Sequence, residues 1–316
     1  MKPSTFAHLV PLAFWATLGL VAVPAAHAQQ TLYVANSGDN TIQKFDSKGI
    51  GLKFNITSLS GPLSPTFDSA GKLFVINSND STIEEFNGKG VGTGFGGGFG
   101  NSDLSGPRDL AFNRAGALFV ANSNNNTIEE FNHGSIGSKF NVTGDLNSPQ
   151  SLAFDGAQDL FVANLGDNTI EKFNSAGVGA KFNVSGNLNA PSALAFDSMG
   201  NLFVANGDNT IEKFNSAGVG TQFNVSGDLN GPTGLAFDNS GNLFVTNYYD
   251  NSIEEFDSAG VGTRFIVNGD VNNPFGLTFG TLPAAVPEVS TTISLGLLLV
   301  LGMGGMVVVA KQRKRA

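Results

Sequence analysis

Few residues in this 316-residue chain could do chemistry, and those few recur at fixed intervals. Asp39, Asp80, Asp167, Asp208 and Asp250, with Asn125 in the remaining place, each stand three residues before an Ile. A ring of carboxylates could supply oxygen ligands to Ca²⁺, a hard cation. The repetition favours a local role, because Asp and Asn side chains cap their own turns and equal residues of separate repeats lie too far apart to converge. Glu84-Glu85, Glu129-Glu130 and Glu254-Glu255 resemble catalytic carboxylate pairs. Neighbours on a strand point to opposite faces, so they read as solvated charges on an outer strand. There is no Cys, which excludes thiolate metal sites and cysteine nucleophiles. One His, His133, stands between the two ends of the chain, in the turn Phe131-Asn-His-Gly134. Histidine-based metal sites and Ser-His nucleophiles therefore have too few residues.

These residues sit on a repeat. Leu-Phe-Val-x-Asn or its variant begins at Leu32, Leu73, Leu118, Leu160, Leu202 and Leu243, at spacings of 41, 45, 42, 42 and 41. A fixed period of this size marks a solenoid, propeller or array. Each unit holds four short apolar runs between Gly/Asn/Asp/Pro clusters, which are strand signals. In the last full unit they are Gly234–Asp238, Leu243–Asn247, Ser252–Phe256 and Arg264–Val267. Four strands per unit make one propeller blade. Residues 29–282 contain 25 Phe, and all but Phe99 and Phe275 fall at one place per strand. Ile and Phe of the third strand are three apart and so face opposite ways, which only a sheet buried on both faces accommodates. The Gly94–Gly100 run, in the longest unit, is expected to distort one outer strand.

The repeat region opens at a second strand, Leu32, and ends on an unpaired first strand, Gly276–Gly280. The last strand can complete the first blade and remove a free sheet edge. The expected fold is all-β: a six-bladed β-propeller of four-stranded blades, its N-terminal blade closed by the C-terminal strand. A structural Ca²⁺ near the axis, held by main-chain or Asn groups, is the one cofactor such a ring suggests. No other cofactor is indicated.

Pro-x-Gly-Leu-Ala-Phe-Asp-x-x-Gly-Asn-Leu-Phe-Val-x-Asn-x-x-Asn-x-Ile-x-x-Phe resembles the NHL repeat, in six registered units. The family usually carries Asp where this chain has Asn36, Asn77, Asn122, Asn164, Asn206 and Asn247. WD-repeat propellers do not fit, since the only Trp is Trp15. The resemblance implies a six-bladed propeller from a functionally mixed group that includes binding modules, sensor domains, and lyases and lactonases with channel metals.

Departures from the consensus mark the candidate site. Most units have small residues in the segments entering the first strand and leaving the second, which frame the channel mouth. The exceptions are Arg108, Asp109, Gln150, Tyr248, Tyr249 and Phe275. Adjacent tyrosines on an exposed loop suit sugar or protein contact, since the ring buries area while the hydroxyl stays wet.

Both ends are address labels. Residues 1–28 read as a signal peptide: Lys2, an apolar run from Leu9 to Val23, and Ala26-His27-Ala28 before the cut. Residues 283–292 are a linker. Residues 293–310 are 18 uncharged residues, about 27 Å as a helix, close to the hydrocarbon thickness of a bilayer. Residues 311–316 are a basic tail that stays on the cytoplasmic side. Ala285-Val286-Pro287-Glu288-Val289-Ser290-Thr291, the apolar helix and the basic end resemble the PEP-CTERM sorting signal, with Val289 in place of the second Pro. This implies an exosortase-type processing partner acting at Pro287 and Glu288, in bacteria that make exopolysaccharide. A permanent one-helix anchor is the alternative.

Without its ends the chain keeps 12 basic and 25 acidic residues, a net charge of -13. That field repels nucleic acid. The expected protein is an exported, non-enzymatic propeller of the cell envelope, outer surface or matrix. Its membrane contact is the C-terminal helix, and its ligand an exopolysaccharide or a protein. The alternative is a metal-dependent lactonase or lyase of the six-bladed group.

Overall fold

The computed structural model describes residues 30–281, apart from residues 53, 55, 57–58, 93–103, 133–136, 141, 143, 183, 224–227 and 266–270. The expected signal peptide, linker, transmembrane helix, sorting residues, His133 and the Gly94–Gly100 run lie outside the described residues.

The described chain is all-β. Blade one takes β1 (Gln30–Asn36), β2 (Thr41–Phe45) and β3 (Gly51–Leu52). Blade two has β4 (Pro62–Phe67), β5 (Leu73–Asn77) and β6 (Thr82–Phe86). Blade three has β7 (Pro107–Phe112), β8 (Leu118–Asn122), β9 (Thr127–Phe131) and β10 (Gly137–Lys139). Blade four has β11 (Pro149–Phe154), β12 (Leu160–Asn164), β13 (Thr169–Phe173) and β14 (Gly179–Lys181). Blade five has β15 (Pro191–Phe196), β16 (Leu202–Asn206), β17 (Ile211–Phe214) and β18 (Gly220–Gln222). Blade six has β19 (Pro232–Phe237), β20 (Leu243–Asn247), β21 (Ser252–Phe256) and β22 (Gly262–Arg264), and the chain ends on β23 (Pro274–Thr281). Each sheet is an antiparallel meander, and β23 joins the first as β23-β1-β2-β3. The described part of blade two has three strands, β4-β5-β6. Among the described residues the fourth strand of blade six is Gly262–Arg264, and residues 266–267 of the expected Arg264–Val267 lie outside them. Phe265 follows it and still donates its N–H to Ile253 O at 2.8 Å.

The third strands show why the ring packs. Ile170 of blade four packs with Phe214 of blade five, and Ile211 of blade five with Phe256 of blade six. Ile and Phe of one strand thus fill opposite inter-blade gaps, as their spacing requires. Six clusters fill six gaps, and one of them joins blade six to blade one through Phe244, Ile253, Phe45 and Leu277. Among the described residues, Tyr33, Phe119, Phe161, Phe203 and Phe244 of the second strands each centre an edge-to-face trio. Phe161 meets Phe182 at 5.1 Å and Phe196 of the next blade at 5.0 Å. Phe244 meets Phe279 at 5.1 Å across the seam. Such pairs add about 0.5–1.5 kcal/mol each beyond area burial.

Asparagine ties the blades at one end. The left-handed Asn40, Asn126, Asn168, Asn209 and Asn251 tolerate that conformation well. Their side-chain carbonyls accept the N–H of Gly61, Ser148, Ala190, Gly231 and Asn273 at 2.6–2.7 Å. Each acceptor clasps the residue before the proline that opens the following blade. Asn164 is fully buried and uses both halves of its amide. It accepts the N–H of Asn147 at 3.2 Å and donates to Thr169 Oγ1 at 3.1 Å and Asp145 O at 3.2 Å. A carboxylate has no N–H to donate, so an amide is the side chain that serves both the donor and the acceptors at this position.

Candidate functional site in the channel

Six first strands line the axis: β4, β7, β11, β15, β19 and β23. In each, Pro is followed by two residues that set the channel's chemistry. The pairs are Leu63-Ser64, Arg108-Asp109, Gln150-Ser151, Ser192-Ala193, Thr233-Gly234 and Phe275-Gly276. The pairing register slips here in every blade. Such a bulge re-aims side chains out of plain alternation.

In three of the pairs the second residue reaches the next blade. Ser64 Oγ contacts Leu110 N at 3.2 Å, and also bonds Asp109 Oδ1. Asp109 Oδ2 accepts the N–H of Leu152 at 2.7 Å and the hydroxyl of Ser151 at 2.7 Å, and Oδ1 accepts the N–H of Leu110 at 2.9 Å. Ser151 Oγ accepts the N–H of Leu194 at 3.0 Å. Burial pushes the Asp109 carboxyl above the usual aspartate range, and these four hydrogen bonds pull the other way. Asp109 keeps some accessible surface because it faces the lumen, although protein surrounds it.

The other half of the ring is built by removal. A Cβ on Gly234 would lie 2.9 Å from Gly276 Cα, and one on Gly276 would lie 3.0 Å from Ser64 N. Pro65 has no N–H, so none faces Gly276. Here the first residues of the pairs bridge instead. Ser192 Oγ donates to Pro232 O at 2.7 Å, and Thr233 Oγ1 to Pro274 O at 2.9 Å.

The strands enclose a cavity of about 170 Å³. Arg108, Asp109, Gln150 and Phe275 line it, all on strands rather than loops. Arg108 Nε donates to Ser123 Oγ at 3.3 Å. Gln150 Nε2 makes two long bonds to Ser148, at 3.4 and 3.5 Å. Tyr248 and Tyr249 do not line the cavity. Tyr249 is 73% exposed, and Tyr248 stands edge-on to it at 5.4 Å and to Phe275 at 6.4 Å. Ser64, Ser151, Ser192 and Thr233 escaped the sequence reading because small hydroxyls passed for consensus. Their signal was two adjacent variable columns, Leu, Arg, Gln, Ser, Thr, Phe and then Ser, Asp, Ser, Ala, Gly, Gly, directly after the recurring Pro.

The recurring aspartates stay local. Asp39 accepts the hydroxyl of Thr41 at 2.7 Å, and Asp80, Asp167, Asp208 and Asp250 do the same with Thr82, Thr169, Thr210 and Ser252. Asn125 does so with Thr127 at 2.9 Å. Among the described residues, no three His, Cys, Asp or Glu side chains come together as a metal ion requires. The glutamates depart from expectation. Glu85, Glu129 and Glu254 are 7%, 2% and 6% exposed, not solvated. Blades cover both faces of the third strand, so its inward-turned carboxylates are buried with the apolar residues. Burial raises the pKa of Glu84, Glu171, Glu212, Glu254 and Glu255.

The class of protein is therefore a six-bladed β-propeller. No family model matches the sequence, and no curated protein matches it. Solved structures do match in fold. A propeller of the nidogen/laminin complex aligns at a TM-score of 0.69 and 19% identity, over 80% of this chain and 98% of that one. Virginiamycin B lyase from Staphylococcus aureus aligns at 0.58 and 17%, over 71% and 79%. A catalytically inactive histidine-to-alanine variant of that lyase, with quinupristin, aligns at 0.59 and 18%, over 73% and 81%.

Proposed function

We propose that this chain is an exported, non-enzymatic propeller of NHL-type repeats. It presents its channel end to a glycan or a protein outside the cell, and its C-terminal segment directs it to the envelope. The observation that supports this reading most is the commitment of the cavity's one carboxylate. A general base must take a proton from a substrate, and Asp109 spends both oxygens on four bonds, three of them between blades. None of the 20 lining residues is His or Cys. The lyase variant just described loses activity with a histidine, which weakens any transfer of that chemistry to this channel. The aromatic pair Tyr248 and Tyr249 beside the mouth, and the nidogen-type likeness, accord with binding.

The test pairs binding with turnover. Purified full-length protein is offered lactone and ester substrates with and without EDTA, and is screened against a glycan array and envelope proteins. Binding without turnover is the expected result. Turnover abolished by EDTA would overturn the reading in favour of the lactonase or lyase.

A further inference from the structure

The ligand's chemistry can be narrowed further, resting on the binding reading above. The cavity is small. Its 170 Å³ falls below the roughly 300–1,000 Å³ of pockets that enclose drug-sized ligands. It admits one ring at the end of a chain, not a polymer segment.

Its polar groups favour oxygen-rich, uncharged matter. Leu110, Leu152, Leu194, Leu235 and Leu277 hold one register against valines of the second strands. The first three turn their N–H groups towards the lumen, where Ser64, Asp109 and Ser151 accept them. The same register turns the N–H groups of Leu235 and Leu277 inward, where Ala193 and Gly234 carry no acceptor. These two leucines are 8% and 7% exposed, against 4%, 4% and 6% for Leu110, Leu152 and Leu194. The lumen thus holds main-chain donors on one side and the planar groups of Arg108 and Gln150 on the other. Planar amide and guanidinium groups match the spacing of neighbouring hydroxyls, and half-buried Phe275, lining the same cavity, offers an apolar face.

Charge decides against ionic ligands. Asp39, Asp80, Asp167, Asp208 and Asp250 stand on the turns at this end, and Arg108 is the one Lys or Arg among its described residues. The aspartates repel an acidic polymer at range, and inside the cavity Arg108 stands beside the committed Asp109, so neither sign of ligand meets an unopposed charge there. We propose that the channel cavity binds the terminal unit of a neutral glycan, its hydroxyls on Arg108, Gln150 and the Leu235 and Leu277 N–H groups and its ring against Phe275.

The test titrates full-length protein with methyl glycosides of glucose, galactose, mannose and N-acetylglucosamine, and with those of glucuronate and glucosamine. At least one neutral glycoside should bind with Kd of about 1 mM, an ordinary affinity for about a dozen heavy atoms. The charged counterparts should bind about tenfold more weakly. Phe275→Leu and Gln150→Ala should each weaken neutral binding about tenfold, the scale of a lost anchor contact. Where Phe275→Leu lowers the melting temperature, Gln150→Ala decides, since that side chain holds only two long bonds. Tighter binding of the uronate, or of none of the neutral glycosides, would overturn the proposal. Glycan or protein binding that survives both substitutions would remove the channel and leave the broader binding reading standing.

Discussion

The carboxylate of Asp109 on β7 accepts the N–H of Leu152 on β11 at 2.7 Å, across the gap between two blades. The same group takes the N–H of its own neighbour Leu110 and two serine hydroxyls. A residue that reads as a charged channel-mouth side chain is thus a clasp between three blades. Asp109→Asn should destabilise the fold by about 1–3 kcal/mol, because an amide NH₂ must then face a backbone N–H. Chemical denaturation of the two proteins measures it, and equal midpoints would refute the clasp.

The buried asparagine of the second strand should resist its charged isostere. Asn164→Asp replaces a donor to Asp145 O with a buried acceptor, at a cost of about 1–3 kcal/mol at neutral pH. Protonation restores an O–H donor, so the deficit should shrink as pH falls towards 4. A pH-independent deficit would point to packing alone.

Acidification should stabilise the wild-type fold before it harms it. Burial raises the folded-state pKa of Glu84, Glu171, Glu212, Glu254 and Glu255 above the ordinary glutamate value of 4.5. The unfolded chain keeps that ordinary value, so in the window above it the native state binds more protons, and stability rises as pH falls. The gain is complete once pH reaches the unfolded value. Melting temperatures between pH 7 and 5 should climb, and Glu171→Gln should flatten part of the slope. A melting temperature that falls throughout this window would contradict the assignment.

Two glycines should respond oppositely to alanine. A Cβ on Gly276 meets Ser64 backbone at 3.0 Å, so Gly276→Ala should cost about 1–3 kcal/mol. Gly88 has nothing within 4 Å and no positive φ, so Gly88→Ala should be neutral or stabilise by up to about 1 kcal/mol. Parallel thermal melts compare them directly.

The C-terminal segment should decide location. A chain truncated before Pro287 should be released in soluble form, while the full chain should fractionate with membranes or matrix. Sorting adds cleavage near Pro287-Glu288 in cells that contain an exosortase. Mass spectrometry that always finds Ala316 at the end would leave a plain anchor.

The sequence by itself determined the blades. Its period, its strand signals and its grid of Phe specify repeated four-stranded sheets, because local turn chemistry and a period of two are written residue by residue. The split of the first blade between Leu32 and the closing strand was legible for the same reason. The aspartates before each Ile were legible as turn caps, since an Asx cap needs only its own loop. The fate of the glutamates was not. Whether Glu129 or Glu254 meets water depends on the neighbouring blade, which strand alternation does not record. The clasp of Asp109 with Ser64 and Ser151 likewise joins residues 45 and 42 positions apart. Only the packing of successive blades around the axis brings their strands side by side, and only there do a serine and a glycine at one repeat position acquire different work.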